Sequence, residues 1–163
     1  MTGNSKNLPR IIVDTSTLFS AFYNRKGNEA RLLELADQEK CEIIILDYVM
    51  EEIDSVFRRY EIDIELVYDL LQTYHNITIS SLEYIKEDEV SISNELIKDI
   101  LDRPIFIFSR REIASNDRSY LITGDKGFFS VEVRKELGNR VIHTVEALDM
   151  IMNLDRINTN DHQ

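Results

Sequence analysis

The sequence predicts an α/β fold, a three-layer α/β/α sandwich with a central parallel sheet. Short, mostly apolar runs stand at residues 11–13, 43–46, 120–123 and 141–144, with helical patterns between them. Runs without alternation suit strands covered on both faces, and strands separated by helices suit parallel crossovers. In such sheets a ligand sits outside the carboxyl ends of the strands.

Each element has a local reason. Ile11, Ile12 and Val13 are β-branched and end at Asp14. Residues 17–38 read as helical, interrupted near 24–28 by a polar stretch containing Gly27. The run from Ile43 to Leu46 closes at Asp47. A helix over 48–60 follows, with Val49, Met50, Ile53, Val56, Phe57 and Tyr60 at helical spacing. Residues 62–74 and 81–101 are read as two further helices, the second weakened by Val90, Ser91 and Ser93. Pro104 suits the first turn of a helix running to Ser115. Tyr120 to Thr123 is the third strand, and Gly138 suits a cap after a short helix to Leu137. Val141 to Thr144 is the fourth strand, and 145–153 the closing helix. The polar stretches 1–9 and 155–163 are expected to be frayed ends of a single domain spanning 1–163, with its core at 10–153.

A chain of 163 residues can bury a core of its own. The one cysteine, Cys41, has no partner for a disulfide and is read as a structural thiol. No run approaches the roughly 20 apolar residues of a membrane span, and the first ten residues do not resemble a signal peptide. These points predict a cytoplasmic protein. Charge pulls against nucleic acid as a partner: 19 Lys and Arg face 30 Asp and Glu, a net charge of −11. Proteins that hold nucleic acid by counterion release are usually basic. Bound metal or a basic partner would cancel that acidity locally.

The carboxylates are the chemistry. Asp14 ends the first strand and Asp125 follows the third, so parallel, adjacent strands would bring them to one sheet edge. Both also suit helix N-caps, and that reading stays open. At about 100° per residue, Glu52 falls on the border of the apolar stripe centred near Ile53, whereas Glu51 points away from it. Asp99 and Asp102 precede Pro104, and Asp102 can project from the start of that helix. Converging carboxylates shift their pKa values or take up a cation, and oxygen-only ligation suits Mg²⁺ or Mn²⁺ rather than Zn²⁺.

The segments IIVDTSTLFSA (11–21), YVMEEI (48–53), DRPI (102–105) and LITGDKGFF (121–129) resemble, in order and spacing, the motifs of PIN-domain nucleases. VIHTVEAL (141–148) is similar to that family's last strand and helix. The likeness is to prokaryotic PIN proteins, which include the toxins of VapBC toxin–antitoxin pairs. It implies a metal-dependent endoribonuclease in which Asp14, Asp102 and Asp125 bind Mg²⁺ or Mn²⁺ and Glu52 binds directly or through water. It also implies RNA as substrate and allows for an antitoxin partner and a homodimer. Ser16 stands where PIN proteins often carry Asn or Ser, and its hydroxyl could hold Asp14 or a metal-bound water. Ser16 and Thr123 share this supporting reading and a capping one. Many PIN domains carry another acid two positions after the last aspartate, where this chain has Gly127. A second metal would then depend on Asp99 or Glu51.

Lys126 and Arg103 adjoin the proposed ligands and are candidates for phosphate contacts. The pairs Arg58–Arg59, Arg110–Arg111 and Arg134–Lys135 are read as solvated helix faces, and His143 as a structural strand residue. His75 and His162 are expected at the surface, and Leu66, Leu70, Leu71 and Tyr74 as core or a subunit contact. Two other classes compete with the nuclease. One is a PIN fold kept as an RNA- or protein-binding module without catalysis, in keeping with the net charge and Gly127. The other is a phosphotransfer domain, disfavoured because Ser16 stands where a phosphatase of that type wants a second aspartate. No glycine-rich phosphate loop or nucleophile elbow is present.

Overall fold

The computed structural model describes residues 7–161. Five parallel strands form the sheet in the order β3-β2-β1-β4-β5. They are β1 (Arg10–Val13), β2 (Glu42–Leu46), β3 (Ile77–Ser80), β4 (Ser119–Ile122) and β5 (Val141–Ile142). The helices are α1 (Thr15–Tyr23), α2 (Asn28–Asp37), α3 (Asp47–Arg58), α4 (Ile64–Thr73), α5 (Glu87–Leu96), α6 (Arg103–Ser115), α7 (Val131–Leu137) and α8 (Thr144–Asn160). Helices α1, α2, α3, α4 and α8 pack on one another, and α6 packs on α5 and α7. Because such crossovers are right-handed, reversing the direction of travel puts these two groups on opposite faces. The architecture is the three-layer sandwich that the alternation of elements implied.

The chain winds outward from β1 to β2 and β3, then returns past its start to add β4 and β5. Strand order therefore reverses between β1 and β4, which opens a crevice at their carboxyl ends. Register there is fixed: Val13 pairs with Ile122, so Asp14 and Thr123 emerge side by side. Strands β1, β2 and β4 carry the core, with Ile11, Ile12, Ile43, Ile45, Leu121 and Ile122 fully buried.

Several expectations are corrected. Residues 77–80 form β3, giving a fifth strand; its edge position leaves Thr78 and Ile79 exposed, so no continuous apolar run marks it. The helix expected over 81–101 is only Glu87–Leu96, followed by an extended stretch and a 3-10 turn at Ile100–Asp102. The last strand stops at Ile142, and α8 continues to Asn160 rather than fraying at 155. His143 is thus not a strand residue; it is an exposed residue at the N-cap of α8. Gly138 caps α7 with φ 65°, a left-handed backbone that glycine adopts without penalty. Cys41 is fully buried, and burial pushes its thiol up to about 12, as befits a structural side chain. His75 is exposed, and His162 lies outside the described residues. Of the 66–74 stripe, Leu71 is buried, Leu70 and Tyr74 half-buried and Leu66 exposed.

Candidate active site at the switch point of the sheet

Asp14 leaves β1 into the crevice and is 4% exposed. Oδ1 accepts from the Thr17 backbone N–H at 2.8 Å, which caps α1. The Ser16 hydroxyl approaches both carboxylate oxygens, at 3.3 and 3.4 Å. From the neighbouring strand, the Thr123 hydroxyl donates to Oδ2 at 2.5 Å. That hydroxyl in turn accepts from the Asp125 backbone N–H at 3.0 Å. Asp125 Oδ1 accepts from Gly127 N–H at 2.7 Å, closing the turn after β4. The capping reading is therefore met in both aspartates, and it leaves the carboxyl at the strand end: one oxygen fixes the backbone and the other does not.

Glu52 comes from α3. It is half-buried while Glu51 is exposed, as helical periodicity required. The Thr15 hydroxyl donates to Glu52 Oε2 at 2.6 Å, whereas Oε1 is buried without a hydrogen-bond partner. A buried carboxylate oxygen with no donor is costly, and it marks a place for a further positive or hydrogen-bonding group. Tyr48, four residues back on the same helical face, has its phenol pushed up by burial, then by the charge of Glu52 and a hydrogen bond with it, and then by the charges of Asp99 and Asp102. Thr15 and Tyr48 were not singled out from sequence. The signals were present: Thr15 adjoins Asp14, and Tyr48 stands at i−4 from Glu52.

Asp102 closes the cluster from the opposite layer, at the end of the 3-10 turn ahead of α6. Its carboxyl is raised from 3.8 to about 7, first by burial, then by the charges of Asp125, Asp99 and Asp14. The three aspartates are thus within electrostatic reach of Asp102. Asp99 is exposed and caps the 3-10 turn by accepting from Leu101 N–H at 3.0 Å. Arg103 Nε donates to the Ile97 carbonyl at 3.0 Å, so that guanidinium partly serves the backbone of its own loop. Lys126 is exposed beside Asp125. At Gly127 an added Cβ would lie 3.2 Å from Asp125 Oδ1, so a side chain there would crowd that carboxylate.

Among the described residues, no three acids, histidines or cysteines stand together as a ready coordination shell. The residues nonetheless fit a hard divalent cation. All four donors are carboxylates, one of their oxygens is buried without a partner, and the carboxyl of one is raised by burial and then by its acidic neighbours.

The basic pairs are not uniformly solvated. Arg111 reaches from α6 to α5, donating to both Glu89 oxygens at 2.6 Å and to the carbonyls of Glu83 and Tyr84 at 2.6 and 2.8 Å. Arg110 pairs with Glu136 at 2.7 Å.

No family model matches this sequence, and no curated protein matches it. In three dimensions the chain is similar to one in the crystal structure of VapBC2 from Rickettsia felis bound to a DNA fragment from their promoter. The TM-score is 0.55 at 15% identity, over 82% of this chain and 98% of that one. At that identity the likeness is one of fold: a PIN-like sandwich. Among the described residues, no helix is long and apolar enough to cross a membrane.

Proposed function

We propose that this protein is a metal-dependent endoribonuclease of the PIN type. The observation that carries the reading is that adjacent strands deliver Asp14 and Asp125 to one sheet edge, with Asp102 near enough that, after burial, their charges help raise its carboxyl to about 7. Acids gathered without a basic partner suit a cation better than they suit a stable fold.

Asp14, Asp102 and Asp125 would hold Mg²⁺ or Mn²⁺, with Glu52 a ligand directly or through water. Such an ion, when bound, acidifies water and neutralises charge on the phosphoryl oxygens, so no nucleophilic side chain is required. The protein's part is placement. Thr123 and Ser16 fix the Asp14 carboxylate, Thr15 fixes Glu52 and leaves Oε1 turned to its buried position, and the turn at Gly127 fixes Asp125. Lys126 and Arg103 are the cations beside these acids for the phosphate backbone.

An antitoxin-like protein partner belongs to this reading, supported by the fold shared with a VapBC2 chain, and so does a cytoplasmic setting. A homodimer rests on the family resemblance alone. A second reading, a PIN fold that binds RNA or protein without turnover, is favoured by the net charge of −11 and by Gly127.

The test is cleavage of a mixed single-stranded RNA pool with Mn²⁺, Mg²⁺ or EDTA, beside the Asp14→Asn/Asp125→Asn variant. Metal-dependent cutting that the variant lacks is the expected result. Absence of both cutting and calorimetric metal binding in the wild type overturns the nuclease and leaves the binding module.

A further inference from the structure

Beside the carboxylates lies an open hollow of about 240 Å³. Ser16, Ser20, Asn28, Glu29, His143 and Thr144 are among the residues that line it, and so is Thr123, whose hydroxyl is already taken by Asp14 and the Asp125 backbone. Ser16 and Thr123 are the two side chains that hold Asp14, so the hollow opens directly from the candidate site. Its volume is below the roughly 300–1,000 Å³ of pockets for drug-sized ligands, so it takes a small group such as one base rather than a whole nucleotide.

One wall is aromatic and fixed. The His143 imidazole stacks on the Phe129 ring, centroids 4.4 Å apart and planes 18° from parallel. The Arg134 guanidinium lies over Phe129 at 5.4 Å, and the adjacent Phe128 is fully buried, which pins the turn that carries Phe129. His143 itself is exposed. An exposed ring backed by an anchored aromatic is a rigid surface for a planar group, and base stacking on such surfaces tolerates any sequence. The polar lining sorts the rest of the ligand. Hydroxyls and a carboxylate can accept from ribose hydroxyls or exocyclic amines, whereas Glu29 repels phosphate.

We infer that this hollow is a base subsite, in which one unpaired base of a single-stranded RNA stacks on His143 beside the polar lining. The inference rests on the proposed ribonuclease reading for its substrate class, placing the stacked base next to the phosphate at the carboxylates.

The test is binding of a mixed-sequence single-stranded RNA carrying the fluorescent adenine analogue aminopurine, in EDTA and in Ca²⁺, to wild type, His143→Ala and His143→Phe. Stacking quenches the analogue. The wild type and His143→Phe are expected to bind and quench. His143→Ala is expected to bind at least roughly 5-fold more weakly, the lower end of what one stacked base contributes, and to lose the quench. Equal affinity and quench in His143→Ala, or no RNA binding by the wild type in either condition, overturns the subsite. Cleavage with Mn²⁺, run in parallel, separates the two proposals. Cutting with His143→Ala indistinguishable from wild type in binding and quench removes the subsite and keeps the nuclease. His143-dependent binding with neither cutting nor calorimetric metal binding keeps the subsite and removes the nuclease.

Discussion

Glu89 and Asp102 are shielded carboxyls flanking the same stretch of chain, and their surroundings push them in opposite directions. Glu89 is 8% exposed and takes both nitrogens of an Arg111 fork plus the Lys86 backbone N–H, and its carboxyl is held down at about 2. Asp102 is lifted to about 7, first by burial and then by the charges of Asp125 and Asp99, a hydrogen bond with Asp125 and the charge of Asp14. The fold gives the first acid a cationic partner and gives the second burial among other acids. Glu89 is a fastener: with Arg111 it ties α5, the 83–84 carbonyls and α6 together. Asp102 is a charge kept under tension, and such groups gather where chemistry is done.

The sharpest way to break that comparison is to neutralise Asp102. Asp102→Asn is expected to lower metal-dependent cleavage by more than the roughly 10- to 100-fold that loss of an outer partner costs a metal site. Stability moves the other way. Because the folded pKa lies above the unfolded one, folding takes up protons between about pH 4 and 7, and the penalty develops as pH rises through that window. In EDTA at pH 8, thermal unfolding of Asp102→Asn should therefore come at an equal or higher temperature. The gain is at most about 1 kcal/mol, since a carboxyl partly open to water is screened by it. A clear loss of stability would show that Asp102 is a fastener too.

Arg111→Ala is the mirror experiment and the next in size. It strands Glu89 and frees two carbonyls, and should cost about 2 kcal/mol of stability in denaturant titration, less than the roughly 3–5 kcal/mol for a fully buried pair. The sign with pH is opposite to that of Asp102. The depressed Glu89 pKa contributes stability above about pH 4.5, lost as pH falls toward 2, so wild type and variant should converge in acid. Metal affinity should not change, and a large change there would couple the two regions.

The smallest effect is expected at Thr15. Thr15→Val removes the donor to Glu52 Oε2 and should weaken Mn²⁺ binding about 10-fold by calorimetry, with Thr15→Ser restoring it. Equal weakening in both variants would assign Thr15 to packing rather than to orienting Glu52.

Much of this was legible in the chain. Apolar runs ending in Asp14 and just short of Asp125 placed both acids at strand ends, and helical periodicity chose Glu52 over Glu51. The strand β3 was not legible because an edge strand needs apolar residues on only one side of its length. The helix over 81–101 was drawn too long at both ends, since only Glu87–Leu96 is helical and an extended stretch with a 3-10 turn follows, whereas the separate helix at Pro104 was expected. Arg111 looked like any surface arginine because Glu89, its partner, lies on another helix, and His143 looked like a strand residue because Val141 and Ile142 precede it.

The sequence by itself determined the α/β class, four of the five strands and the acids at two strand ends, since these follow from local periodicity and covalent spacing. Only the tertiary structure decided what those acids experience. The lift on Asp102, the unpartnered Glu52 oxygen, the Arg111 clamp and the His143–Phe129 stack join residues far apart in the chain. Coulomb and desolvation energies depend on distance through space and on burial, and the fold alone sets both.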